Sequence, residues 1–449
     1  MPRIRVISRS EEEYRAARKG DLDVMQRNPD PLLHPMEKPK EYTRALNAVK
    51  LDRLFAKPFI QALGHHKDGV YCLRRHPSLV SCMLSGACDG EIIVWSLKNK
   101  EPRVRLEGAH RGFVRGLAVH SGGERFVSCG DDKVVKIWKT PADIRDEQHQ
   151  TTPIATYLGE HAFSSVDHQR NSMLFATSGA SVDVWDHNRA EPLHSYEWGI
   201  DTVTCLRYNP IDTHIIAGLS VDCSILLYDV RSNSPVRRLT LDMKSNAVAW
   251  NPMEAFNFTV ANDDSNCYSF DMRKLSRAIG VHKDHTGSVL DIDYSPTGRE
   301  FVTGGFDKTL RIFPFNGNTS REVYHTKRMQ RIFSVQFSGD SNYVLSASED
   351  TNIRLWKAQA SKPVGVMHPR AKQKLEYKEK LKERYGKVPE IRRIAKYRHV
   401  PKAIKVAKEQ RRIHEQSVKR KAANYRKHHV EGALPIVPER KKKLREEEE

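Results

Sequence analysis

No run of this 449-residue chain is apolar enough, for long enough, to span a bilayer, and neither end carries a lipidation motif. Membrane attachment is therefore not expected. The amino-terminal Met1-Pro-Arg-Ile-Arg-Val-Ile-Ser-Arg9 is charged and lacks the apolar core of a signal peptide. Cysteine is sparse. The seven thiols (Cys72, Cys82, Cys88, Cys129, Cys205, Cys223 and Cys267) are odd in number and never spaced Cys-x-x-Cys, which argues against a disulfide framework or a zinc ribbon. They are expected as small core residues in a reducing compartment, cytosolic or nuclear. The chain also lacks a phosphate-binding glycine loop, a metal-ligand cluster and an isolated nucleophile–base pair. We therefore expect no enzyme, cofactor, metal or small-molecule substrate.

What the chain does have is a ladder of aromatics. Trp95, Trp138, Trp185, Tyr228, Phe270, Phe313 and Trp356 follow one another at gaps of 43, 47, 43, 42, 43 and 43 residues. Six of the seven have an aspartate six residues upstream: Asp89, Asp132, Asp222, Asp264, Asp307 and Asp350. The third has Gly179 there. A period of 40–45 residues, with period-2 alternation and hairpin turns such as Ser295-Pro-Thr-Gly298, fits one four-stranded propeller blade per unit.

The units resemble WD40 repeats. That resemblance implies three blade-internal hydrogen-bonded sets: His66, Ser85, Asp89 and Trp95; His110, Ser128, Asp132 and Trp138; and a weaker copy, His285, Thr303 and Asp307, with Phe313 in place of the indole donor. A buried carboxylate beside apolar strands needs donors, which His and Ser supply. His, Ser and Asp together imitate a catalytic triad, but a set recurring with the blade period is structural. The expected architecture is all-β: a seven-bladed WD40 propeller over 58–360, closed by Phe59-Ile-Gln-Ala-Leu63 joining the last blade. An amino-terminal extension spans 1–57, and a basic, largely α-helical tail spans 361–449.

Charge divides along the same boundaries. The net charge of +19 comprises +4 in 1–57, −1 in 58–360 and +16 in 361–449. A tail so basic points to a polyanion, RNA first, through counterion release. Arg440-Lys-Lys-Lys-Leu-Arg445, with Lys419-Arg-Lys421, has the composition of a nuclear localisation signal. The tail is patterned: a helix from Pro369 to Tyr385, with Tyr377, Leu381 and Tyr385 as a narrow apolar stripe and Gly386 at its C′ position; a segment placing Ile391, Ile394 and Ala395 on one face; and a longer helix from Lys402 to about Lys427, with Ile404 and Ala407 on its apolar side. The bland reading of these stripes is packing against the propeller.

Ile391-Arg-Arg-Ile-Ala-Lys-Tyr-Arg-His-Val-Pro-Lys402 is similar to the signature of the SOF-type domain, which ends a family of nucleolar WD40 proteins associated with the U3 small nucleolar ribonucleoprotein. Asn28-Pro-Asp-Pro31, Arg44-Ala-Leu-Asn-Ala-Val-Lys-Leu-Asp-Arg-Leu-Phe-Ala-Lys-Pro-Phe59, Trp250-Asn-Pro-Met-Glu-Ala-Phe256 and Arg321-Glu-Val-Tyr-His-Thr-Lys-Arg-Met-Gln330 agree. Glu446–Glu449 and the insert near Pro141–Thr152 carry no such signal. The resemblance implies a non-enzymatic scaffold of the small-subunit processome, in nucleus and nucleolus, supporting maturation of precursor ribosomal RNA to 18S RNA. Its partners would be pre-ribosomal RNA, the U3 particle and processome proteins. Arg392, Arg393, Lys396, Arg398 and Lys402 are then the expected phosphate contacts. The family is also described as cullin-4-associated, and this gives a second reading as a ubiquitin-ligase substrate receptor. The aromatic-Asp-x-Arg segments Tyr228-Asp229-Val-Arg231 and Phe270-Asp271-Met-Arg273 would dock the cullin adaptor.

Overall fold

The computed structural model describes residues 31–33, 35–140, 152–197, 201–232, 235–429 and 435–448. Most of the Asn28-Pro-Asp-Pro31 motif, nearly all of the 141–152 insert and Glu449 lie outside them. The chain forms two compact units: Met1–Ala56 with Ser361–Tyr397, and Lys57–Ala360 with Arg398–Glu449.

The second unit contains seven antiparallel sheets, one per ladder aromatic. Blade 1 shows the pattern. Val70–Arg75 lies innermost, followed outward by Cys82–Ala87, Ile92–Ser96 and Glu101–Leu106. The middle strands are buried on both faces, as sheets stacked side by side require. Phe59–Leu63 pairs antiparallel with Ile353–Lys357 of blade 7, setting Phe59 opposite Trp356 and Leu63 opposite Ile353. The ring therefore closes with the chain's own amino-terminal strand. A second closure comes from the other end. Leu444–Glu448 pairs with Pro235–Leu241 and gives blade 4 a fifth strand, covering an edge that would otherwise be open.

Two further devices join the blades to one another. The residue just after an inner strand reaches the next blade's first turn: His76 Nε2 meets Gly123 O at 2.9 Å, and Gln169, Asn209 and Asn251 donate to the carbonyls of Thr213, Ala255 and Gly298. On the axis, Asp167 bonds Arg74 and also accepts the backbone N–H of Tyr208 (2.8 Å), while Asp291 and Asp293 accept those of Val335 and Phe337.

The first unit is helical: α1 (Glu37–Leu54), α2 (Pro369–Tyr385) and α3 (Pro389–Lys396). Ala45, Val49, Leu381 and Ile391 form its buried centre, flanked by Tyr42, Tyr385, Val388 and Ile394. The stripes of α2 and α3 are thus met by the amino-terminal extension, a pairing the sequence reading did not foresee. Ion pairs and hydrogen bonds reinforce it: Lys382 with Asp52, Arg384 and Tyr385 with Glu41, and Arg53 with the Ala395 carbonyl. Gly386 does follow α2, as its cap residue, with a right-handed φ of −63°. Glycine is needed there for space, because a Cβ would stand 2.9 Å from the Lys382 carbonyl oxygen.

Candidate nucleic-acid and partner interfaces

The recurrent His, Ser and Asp residues are consumed inside their blades. In blade 2, His110 Nδ1 meets Asp132 at 3.0 Å and its Nε2 meets Ser128 Oγ at 2.7 Å, while Trp138 Nε1 donates to the same hydroxyl at 2.9 Å. In blade 6, His285 links Asp307 (3.0 Å) and Thr303 (2.6 Å). Burial alone would raise the pKa of Asp307, but His285, Arg311 and Thr309 outweigh it and hold the carboxyl well below the usual range.

Blade 1 departs from expectation. His66 bonds Ser85 (2.6 Å), and Trp95 donates to Ser85 (2.7 Å), but the partner of His66 Nδ1 is Glu91 at 3.1 Å, not Asp89. The reason lies in what the ladder aspartates do. Asp89, Asp132, Asp222, Asp264 and Asp307 each accept the backbone N–H two residues on, at 2.9–3.3 Å. The residue after each of the six has a positive φ: Gly90, Lys133, Cys223, Ser265, Lys308 and Thr351. The aspartate therefore closes a left-handed turn, and bonding a histidine is an optional second task. In blade 1 the longer Glu91 side chain takes that task. Nothing in the residue spacing marked it.

Asp229 and Asp271 end equivalent strands in adjacent blades 4 and 5, so they and their arginines share one propeller face. Each carboxylate holds the arginine two residues on by a two-point bond, Arg231 at 3.1 and 3.0 Å and Arg273 at 3.1 and 2.9 Å. Both guanidinium side chains remain 62% exposed, and Arg273 also lies over the Phe256 ring at 4.1 Å. Local pairing and availability to a partner coexist here.

The five tail cations divide between the two units. In the helical unit, Arg392, Arg393 and Lys396 are exposed on α3, while Ile391 is buried. In the propeller unit, Lys402 is exposed at the start of α4 (Lys402–His428). Arg398 is different, and the expectation for it is corrected. It donates to the Arg321 carbonyl, pairs with Glu322 at 3.5 Å and is only 16% exposed, so it anchors chain rather than meeting phosphate. The sequence reading also missed Lys408 and Arg411. Lys408 pairs with buried Asp284 at 2.5 Å, and Arg411 bonds Ser265 Oγ, the carbonyls of His285 and Asp264, and Asn266 Oδ1. These two bind α4 to blades 5 and 6. Helix α4 has ten Lys and Arg against two Glu and no buried residue, so Lys405, Arg412, Arg420, Lys421 and Lys427 face outward. Part of the 440–445 basic cluster is also spent on anchoring, since Lys443 and Arg445 pair with Asp242.

A seven-bladed WD40 propeller with a basic helical extension defines the class. A WD domain, G-beta repeat model matches residues 57–96, 101–139, 190–229, 276–313 and 320–357, and a Sof1-like domain model matches 358–444. The chain is similar to DDB1- and CUL4-associated factor 13 of Xenopus tropicalis (47% identical over 440 residues, 98% of each chain). It is also similar to that of Dictyostelium discoideum (50% over 403 residues, 90% of each) and to Protein SOF1 of Saccharomyces cerevisiae (44% over 463 residues, 98% of this chain and 94% of the relative). The chain belongs to this Sof1-like family of WD-repeat proteins.

Proposed function

We propose that this protein is a non-enzymatic assembly factor of the nucleolar small-subunit processome, supporting processing of precursor ribosomal RNA to 18S RNA together with the U3 particle. One observation carries the reading. Helix α4 is held to a nearly neutral ring by Lys408 and Arg411, which leaves its remaining cations turned outward. Such a helix offers phosphate contacts that position RNA without reading its sequence. On α3, Arg392, Arg393 and Lys396 offer a second cationic edge, and Lys402 extends that of α4. Kinship with Protein SOF1 supports the same reading.

A second role, docking on a cullin-4 ligase adaptor, is favoured by the exposed arginines Arg231 and Arg273 at equivalent places on one face, and by relatives whose name states association with DDB1 and CUL4. One experiment separates the two. Gln in place of Lys405, Arg420, Lys421 and Lys427 should weaken association with pre-ribosomes and flatten the salt dependence of RNA binding, with precursor RNA accumulating. Ala at Arg231 and Arg273 should remove adaptor capture alone. Normal processing and an unchanged salt slope in the first variant would sink the processome reading of α4.

A further inference from the structure

The propeller has an aromatic surface that neither role uses. In blades 1, 2 and 7 the inner strand opens with a bulge, where pairing shifts between Val70 and Cys72, Val114 and Gly116, and Ile332 and Ser334. The residue inside each bulge, Tyr71, Arg115 or Phe333, leaves the alternation and is re-aimed toward the mouth of the ring. Tyr71 stands 5.7 Å from Phe333 and 6.5 Å from Phe113, ring centre to ring centre. The Arg115 guanidinium lies over Tyr71 at 5.1 Å and over Phe113 at 4.9 Å. In the neighbouring turn of blade 6, Arg331 covers Phe306 at 4.2 Å. Phe113 and Phe306 are 40% and 47% exposed.

We infer that this rim is a stacking platform for the bases of single-stranded RNA, a reading that rests on α4 binding the same strand's phosphates. Inner strands begin on the propeller face that bears the His–Asp turns. Helix α4 sits against that same face, at 264–266 and 284–285. The face thus combines cations on α4 with flat rings from blades 6, 7, 1 and 2. Arg115 is already bonded at two points to Asp131, and Arg331 is paired with Glu349. Each guanidinium thus has a carboxylate partner on one side and a ring beneath it. What they present is planar surface, which bases stack upon and which a duplex, its own bases stacked, cannot use.

The two contributions separate by their response to salt. Full-length protein should bind a labelled short oligouridylate. Phe113→Ala with Phe306→Ala should weaken that binding about tenfold while leaving the salt slope unchanged, because stacking displaces no counterions. Tyr at both positions should restore it. An abasic strand of the same length should bind wild type and the Ala variant equally. The Gln variant of α4 should instead lower the slope. If only the α4 variant loses affinity, the platform fails and the phosphate reading stands; if wild type binds no oligouridylate, both fall. Equal weakening on the abasic strand would also overturn the platform.

Discussion

His66 Nδ1 lies 3.1 Å from the carboxylate of Glu91, and Ser85 Oγ lies 2.6 Å from the other nitrogen of the same ring. Burial pushes the His66 pKa down to about 4, so the ring is neutral at physiological pH. A neutral ring completes one chain of donors: Nδ1–H to Glu91, the Ser85 hydroxyl to Nε2, and the Trp95 indole N–H to the Ser85 oxygen. Removing Glu91 leaves a buried N–H without an acceptor, whereas removing Asp89 opens a turn that Gly90 (φ 87°) can relax. Glu91→Ala should therefore cost about 1–3 kcal/mol in chemical denaturation, and Asp89→Ala about 1 kcal/mol. The reverse order would refute this assignment of partners.

The six left-handed turn residues are not equally suited to their backbone. Thr351, at φ 66°, is β-branched, the kind of side chain that conformation disfavours most. Relief of roughly 1–2 kcal/mol exceeds the 0.5–1 kcal/mol entropic cost of glycine, so Thr351→Gly should stabilise the protein by about 0.5–1 kcal/mol. Gly90 already holds the equivalent place in blade 1. A lowered melting temperature would show that the Thr351 side chain has another task.

Four buried histidines set the response to acid. Burial, the largest influence on each, lowers His66, His168, His187 and His282 to about 4, and His168 and His187 face each other with their Nε2 atoms 2.9 Å apart. Unfolded histidine titrates near 6.5. Between about 4 and 6.5 the unfolded chain therefore binds more protons, and the stability present above 6.5 is lost as pH falls toward 4. Each histidine adds up to about 1.4 kcal/mol per pH unit in that window. Melting temperature should fall steeply from pH 6.5 to 4.5, and His187→Gln should flatten the decline.

The ladder aromatics and their aspartates made the propeller, its seven blades and its closing strand legible, because a blade repeats its requirements every 42–47 residues. Features used once left no such trace. Glu91 takes over the histidine bond from ladder residue Asp89 without altering the spacing. The apolar stripe of α2 showed that Leu381 would be buried, but not that Ala45 and Val49 of α1, more than 300 positions earlier, would cover it. Arg398 and Lys402 look alike as letters in a basic run; Glu322 distinguishes them, and only the folded chain brings it to Arg398.

Docking of α4 is polar. The helix buries no side chain completely, so little hydrophobic area holds it. Lys408 reaches Asp284, whose carboxyl is 8% exposed; burial would raise its pKa, but Lys408, Ser320 and Arg311 outweigh that and hold it below the usual range. Arg411 satisfies four acceptors in the 264–266 turn and the 284–286 loop. Charged hydrogen bonds of this kind contribute roughly 1.5–3 kcal/mol each, against the entropy of holding the helix. Arg411→Ala should thus raise amide exchange across 402–428 about tenfold or more, leaving the blade strands protected. Added salt should do the same to wild type, but act only weakly on Asp284→Asn, which keeps a polar acceptor and loses the charge. Unchanged exchange in Arg411→Ala would mean that the partly buried apolar positions Ile404 and Ala422 hold the helix after all.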